Sequence, residues 1–225
     1  MTRRDRAENP AMESSRSPVL ASLAAIVTAA ALSGCALTRS APQTVTYDLG
    51  PAAALPAPNA GAPSSQAQQK LPSIRIAQTD GPTWMDGNSL YYRLQYAQAQ
   101  RLQPYATQRW VMSPTRLFDD RLREAVAARG ALTWFGDTSV PALKVEMLEF
   151  EQVFDSATTS HGVVRVRATV YLRGMIGQQT FEARQPAPSA DGAGGVKALA
   201  DGSDAVIGSM LDWLATLPLK TDTKP

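Results

Sequence analysis

The 225-residue sequence contains one cysteine and one histidine. A single cysteine excludes an internal disulfide framework, a Cys-Xaa-Xaa-Cys redox centre and any multi-cysteine zinc site. A single histidine excludes the usual histidine-rich metal sites. Charge is also sparse: 19% of residues are Asp, Glu, Lys or Arg, the net charge is +2, and no Lys/Arg block supplies the footprint of nucleic-acid binding. No apolar run reaches the roughly 20 residues that a membrane-spanning helix needs. Neither a Gly-Xaa-Ser-Xaa-Gly elbow nor a Gly-Lys-Ser/Thr phosphate loop is present, so the chain has no nucleophile elbow and does not read as the motor of an ATP-driven machine.

Apolar residues make up 44% of the sequence, while 15 Gly and 16 Pro mark part of it as irregular. That suits one domain with appendages. Val19 to Leu32 form fourteen uncharged residues behind Arg16, too short for a span and right for a secretory h-region. Leu32-Ser33-Gly34-Cys35 then matches the bacterial lipobox, in which small residues let the peptidase reach the scissile bond and the thiol accepts a diacylglyceryl group. Residues 1–34 therefore read as a lipoprotein signal peptide, with Met12 as an alternative start. Cys35 reads as the site of covalent diacylglycerol and palmitate; no other cofactor and no metal is expected. Each buried CH₂ adds about 0.8 kcal/mol, so two or three chains anchor a protein firmly. Residue 36 is alanine rather than aspartate, which resembles the sorting rule for the outer membrane of Gram-negative bacteria, periplasmic face. Loss of residues 1–34 leaves 18 bases and 17 acids.

Residues 35–43 form a tether that reaches no more than roughly 30 Å at 3.3–3.6 Å per residue. The domain is placed at 44–218. Thr44 to Leu49 alternates as a short strand, and the Ala/Pro/Gln stretch 51–69 reads as a flexible loop. Strands follow at Ile74–Ile76, Ser89–Tyr96 and Tyr105–Val111. Ser113-Pro114 opens a helix whose stripe is Leu117, Phe118, Leu122, Ala125 and Val126, ending at Gly130. A hairpin spans Leu143 to Arg173, with a one-residue bulge at Met147/Leu148. Its expected register sets Phe150 opposite Val166, Glu151 opposite Arg165 and Glu149 opposite Arg167. Another strand covers Gln178–Arg184, and a long amphipathic helix runs from Val196 to Leu217 before Pro218. Residues 219–225 read as a disordered tail. The order predicts an α+β fold, a largely antiparallel sheet with two amphipathic helices packed on one face.

Ser160-His161 invites a serine-hydrolase reading, but the pair falls in the hairpin loop, where exposed turn residues are expected. Glu146, Glu149 and Glu151 could supply paired carboxylates, but the register puts two of them, Glu149 and Glu151, beside arginines, and a solvated face accounts for the set. Gly192, Gly194, Gly195 and Lys197 precede a helix without phosphate-loop spacing, so a tight helix entry accounts for them. No catalytic residue is assigned. Six of the fifteen aromatics, Trp84, Tyr91, Tyr92, Tyr96, Tyr105 and Trp110, lie within residues 84–110, and none is Phe. Tyr92, Tyr96 and Trp110 are expected in the core. Trp84, on a turn, and Tyr91, on the opposite strand face, are the candidates for partner binding.

The stretches Tyr47-Asp-Leu-Gly, Trp84-Met-Asp-Gly, Tyr92-Arg-Leu-Gln-Tyr-Ala, Tyr105-Ala-Thr-Gln-Arg-Trp, Leu148-Glu-Phe-Glu-Gln-Val-Phe and Ala190-Asp-Gly-Ala-Gly-Gly, in that order behind a lipobox, resemble the ABC-type transport auxiliary lipoprotein family (paraquat-inducible C lipoprotein-like). The resemblance implies an outer-membrane lipoprotein that works with an inner-membrane ABC transporter and a periplasm-spanning MCE-domain protein in lipid transport. It leaves open a homo-oligomer, and two other classes: a lipid carrier with its own apolar groove between sheet and helices, and a periplasmic hydrolase.

Overall fold

The computed structural model describes residues 43–52, 71–134 and 136–219. Cys35, the expected signal peptide of residues 1–34, the Ala/Pro/Gln stretch from residue 53 on and the chain beyond residue 219 lie outside the described residues.

Eight strands form one sheet. They are β1 (Val45–Tyr47), β2 (Leu71–Ile76), β3 (Ser89–Leu94), β4 (Leu102–Trp110), β5 (Gly130–Leu132), β6 (Ala142–Phe154), β7 (Ser160–Tyr171) and β8 (Met175–Pro186). Among the described residues three α-helices accompany them: α1 (Gln95–Gln98), α2 (Pro114–Arg129) and α3 (Gly192–Thr216). The sheet is mixed, which corrects the largely antiparallel expectation. β6–β7, β7–β8 and β3–β4 are antiparallel, whereas β1–β4, β2–β5, β2–β6 and β3–β6 are parallel. The physical reason is the central strand. One edge of β6 pairs along its length with β7; the other is shared, its first residues with β2 and its last with β3.

Alternation put the bulge where it is found, between Met147 and Glu149, but placed the partner two residues out of step. Phe150 pairs with Val164, not Val166, and Glu149 with Arg165. The turn decides this. The Asp155 and Ser156 amides both bond the Thr159 carbonyl, so Phe154 and Ser160 are the last pair before a five-residue loop.

Leu143, Val145, Met147 and Phe150 on β6, with Val164, Val166, Ala168 and Val170 on β7, form the inner face, each at most 2% exposed. α2 adds Leu117, Phe118, Leu122 and Val126, and α3 adds Leu199, Val206, Met210 and Leu214 to the same core. The space between sheet and helices is thereby filled with side chains. Burying such a residue contributes about 1.5–3 kcal/mol. Two ion pairs tie the helices together, Arg121–Asp204 at 3.0 Å and Arg129–Asp212 at 2.6 Å.

Arg121 has a second task. Its guanidinium, 7% exposed, donates to the carbonyls of Leu49 at 2.9 Å and Gly50 at 3.1 Å. Asp48 Oδ1 accepts the Gly50 amide at 2.8 Å, and Gly50 takes φ +67°, which only glycine adopts at little cost. The Tyr-Asp-Leu-Gly segment after β1 is thus clasped to both helices. Gly130 ends α2 as expected, with extended backbone, and opens β5. A Cβ there would meet the Leu71 carbonyl at 2.9 Å, so close strand approach explains the glycine.

The tight entry expected for α3 is also found. Asp191 caps it, its Oδ1 accepting the Gly194 amide and the Ser189 hydroxyl, each at 2.8 Å. These bonds hold the Asp191 carboxyl below its ordinary pKa. A Cβ on Gly195 would lie 2.1 Å from Gln152 Oε1.

Candidate partner surface

β2 continues as an irregular segment along β6, with Asp80 bridged to Glu146 through the Asp80 amide to Val145 and the Met147 amide to Asp80. β3 does not join β6 until Tyr92 pairs with Gln152. Between the two contacts the edge of β6 has no regular partner, and the bulge at Leu148 falls in that gap. The loop 81–88 spans it. Its 3₁₀ turn, Thr83–Met85, is pinned by fully buried Met85 and holds Trp84 half-buried beside Leu148.

The result is a groove of about 540 Å³ lined by Pro82, Trp84, Met147 and Leu148, with Asp80, Lys144 and Glu146 at its rim. Lys144 Nζ lies 3.1 Å from Asp80, whose carboxylate raises the lysine's pKa, and Glu146 lies 3.1 Å from Arg167. Trp84 and Tyr91 meet edge to face, their ring centroids 5.2 Å apart, and the Tyr91 hydroxyl donates to the Trp84 carbonyl at 3.2 Å. The two residues singled out from sequence therefore form one unit. Both are half-buried. Leu148, half-buried at the bulge, belongs with them, and the break in alternation at Met147/Leu148 is the sequence signal that marks it.

The other aromatics divide. Trp110 is 1% exposed and packs on Phe150, and Tyr92 packs between Tyr105 and Phe154. Tyr96, expected in the core, lies in α1 and is 52% exposed, because the chain leaves the sheet after Leu94. The Tyr105 hydroxyl donates to Gln152 Oε1 at 2.8 Å, and burial pushes the phenol's pKa up. Gln152, with no exposure, also donates to Ser160 Oγ at 2.8 Å and the Asp191 carbonyl at 3.0 Å. Sequence reasoning missed this buried polar node.

Ser160 and His161 are not exposed turn residues; they open β7. Adjacent strand positions face opposite sides. Ser160 is buried against Gln152, while His161 Nδ1 meets Asp155 Oδ2 at 2.8 Å. They do not converge as nucleophile and base. The glutamates also redistribute: Glu149 bonds Arg165, Glu146 bonds Arg167, and Glu151 turns to β3. There Arg93 grips Glu151 with two bonds of 2.7 and 2.9 Å and gives a third, 2.8 Å, to the Ala99 carbonyl. Glu151 is 5% exposed, so its expected place on the solvated face is corrected. The two-residue register difference moved it beyond Arg165 and into reach of β3. Lys197 pairs with Asp201 one turn along α3, away from any phosphate-loop geometry. Among the described residues no three His, Cys, Asp or Glu side chains gather as a metal site, and no helix is long and apolar enough to cross a membrane.

Comparison with known proteins adds the following. No protein of curated function matches the sequence. A crystal structure of a protein from Xanthomonas campestris superposes with a TM-score of 0.64 at 16% identity, covering 76% of this chain and 95% of the other. The structure of an uncharacterized protein does so with 0.56 at 13%, covering 75% and 96%. These likenesses concern the fold. The family model described as the ABC-type transport auxiliary lipoprotein component matches residues 54–210, most of the chain, as the ordered sequence stretches implied. This chain belongs to the ABC-type transport auxiliary lipoprotein family.

Proposed function

We propose that the protein is a non-catalytic docking component. It is acylated at Cys35 and held at the periplasmic face of the outer membrane. There it joins a periplasm-spanning MCE-domain protein, and through it an inner-membrane ABC transporter, in moving lipids. Family membership supports an auxiliary role in transport. The observation that carries the docking reading is the groove at the gap in β6, where Trp84, braced by Tyr91, and Leu148 offer apolar area beside Asp80, Lys144 and Glu146. Aromatic anchors with a polar rim are the usual anatomy of a protein interface.

The test is capture from membranes by the tagged, acylated chain. Aromatic truncation at the centre of an interface costs about 2 kcal/mol or more, close to a thirtyfold loss of affinity. Trp84→Ala should show such a loss. Because Trp84 also packs on the core, melting is measured alongside, and Tyr91→Phe, which removes only the hydroxyl bond to Trp84, serves as the mild variant. Wild-type capture of the MCE-domain protein by folded Trp84→Ala would remove this surface from consideration.

A further inference from the structure

Two of the six large apolar side chains exposed among the described residues, Val45 (46%) and Val111 (53%), lie together where the chain enters the domain. The Val111 amide donates to the Tyr47 carbonyl at 2.7 Å, which sets it beside the end of β1, and Val45 shares a strand face with Tyr47. Between β1 and the first turns of α3 runs an open groove of about 420 Å³, lined by Tyr47, Leu49, Val111, Val196 and Ala200, with Lys197 at its edge. This site is separate from the Trp84 groove. Its position relative to the domain is fixed, because Arg121 clasps the end of this segment to α2 and, through Asp204, to α3.

Seven residues, 36–42, separate Gln43 from Cys35, a reach of no more than roughly 30 Å. A short tether raises the effective concentration of whatever it holds to the millimolar range, so a small apolar patch suffices for contact. Lys197 is paired with Asp201 and Asp48 also lines the groove, so the exposed apolar side chains beside the anchored end of the chain carry the fit to a headgroup–acyl boundary. We infer that Val45, Val111 and the groove beside α3 form the face that rests on the phospholipid bilayer receiving the acyl chains of Cys35. This rests on the acylation reading of Cys35.

The test uses the full acylated chain in nanodiscs of phosphatidylethanolamine and phosphatidylglycerol. Acylated Cys35 has no free thiol, so Val111→Cys, Val45→Cys and, at the start of the sheet's far edge strand, Met175→Cys each provide a single attachment point for a nitroxide. All three positions are exposed. Collision with oxygen relative to a nickel chelate should be several-fold higher at 111 and 45 than at 175. Should Val111→Cys fold poorly, Val45→Cys decides alone. Mass spectrometry of the processed N-terminus separates the failures. An acylated chain whose labels at 111, 45 and 175 are equally aqueous overturns the bilayer face and leaves acylation standing. Labels at 111 and 45 shielded from both oxygen and nickel mark a protein contact, a second copy, and overturn it too. A chain that carries no acyl group overturns both.

Discussion

Replacing Glu151 with glutamine keeps the side-chain volume and removes the charge. In the folded protein the Glu151 carboxylate takes two bonds from Arg93, and its side chain is 7% exposed against 24% for the arginine. Glutamine offers one acceptor oxygen, so its NH₂ would face an arginine donor in place of the second bond. A hydrogen bond to a charged group contributes about 1.5–3 kcal/mol. Stranding the partner of a fully buried pair costs about 3–5 kcal/mol. Arg93 keeps its bond to Ala99 and some access to water, so the loss should stay in the upper part of the first range and below the second, at about 2–3 kcal/mol. With a urea slope of about 2 kcal/mol/M, the midpoint should drop by about 1–1.5 M. Glu149→Gln is the matched control. Its pair with Arg165 has side chains 35% and 37% exposed, and such pairs contribute about 0–1 kcal/mol, less than about 0.5 M. Both midpoints can be read by far-UV circular dichroism at pH 7. Equal midpoints would refute the claim that the β3–β6 contact is held by a desolvated ion pair.

Cys35→Ala should abolish incorporation of a palmitate analogue in metabolic labelling; label retained in the variant would place the acyl group elsewhere. Gly195→Ala should destabilise by about 1–3 kcal/mol, because the new methyl would meet Gln152, which is held by three hydrogen bonds and cannot retreat. On the same helix Gly208→Ala meets nothing within 4 Å and should stabilise by about 0.4–1 kcal/mol; melting curves that reverse this order would contradict the packing at the start of α3. The Asp191 carboxyl has a pKa lowered by its cap bonds, so its contribution is complete above the ordinary aspartate range and fades as pH falls through the lowered folded value. Asp191→Asn should therefore flatten the acid limb of the stability profile below about pH 4, leaving most of the capping at neutral pH.

The elements legible in the sequence were those with local signals. Pro114 at the first helical position, the stripe of α2 and the bulge at Met147/Leu148 follow from spacing alone. The β6–β7 register did not, because alternation repeats every two residues and a two-residue slip leaves every side chain on its proper face. Only the five-residue turn at Asp155–Thr159 distinguishes the two. Parallel pairing was illegible for another reason. β2 and β3 are each six residues long and nothing local in them names a partner in β6. Of the candidate surface, Trp84 and Tyr91 were visible as a turn and a strand face. Their contact and the groove beside them depend on the gap between β2 and β3, which exists only once both lie along β6.

The division of β6 also sets an order of assembly. β7 follows β6 and β8 follows β7 across short turns, and each can pair with the strand before it as soon as it is made. Tyr92 must wait for Gln152, sixty residues later, and Arg75 for Ala142. At about 5–20 residues per second, synthesis of sixty residues takes about 3–12 s. Until β6 follows, β3 and β4 can pair with each other and β1 with β4, but that three-stranded unit lacks its neighbour in the sheet. The C-terminal meander completes the sheet, so the part of the chain nearest the anchor is made first and secured last.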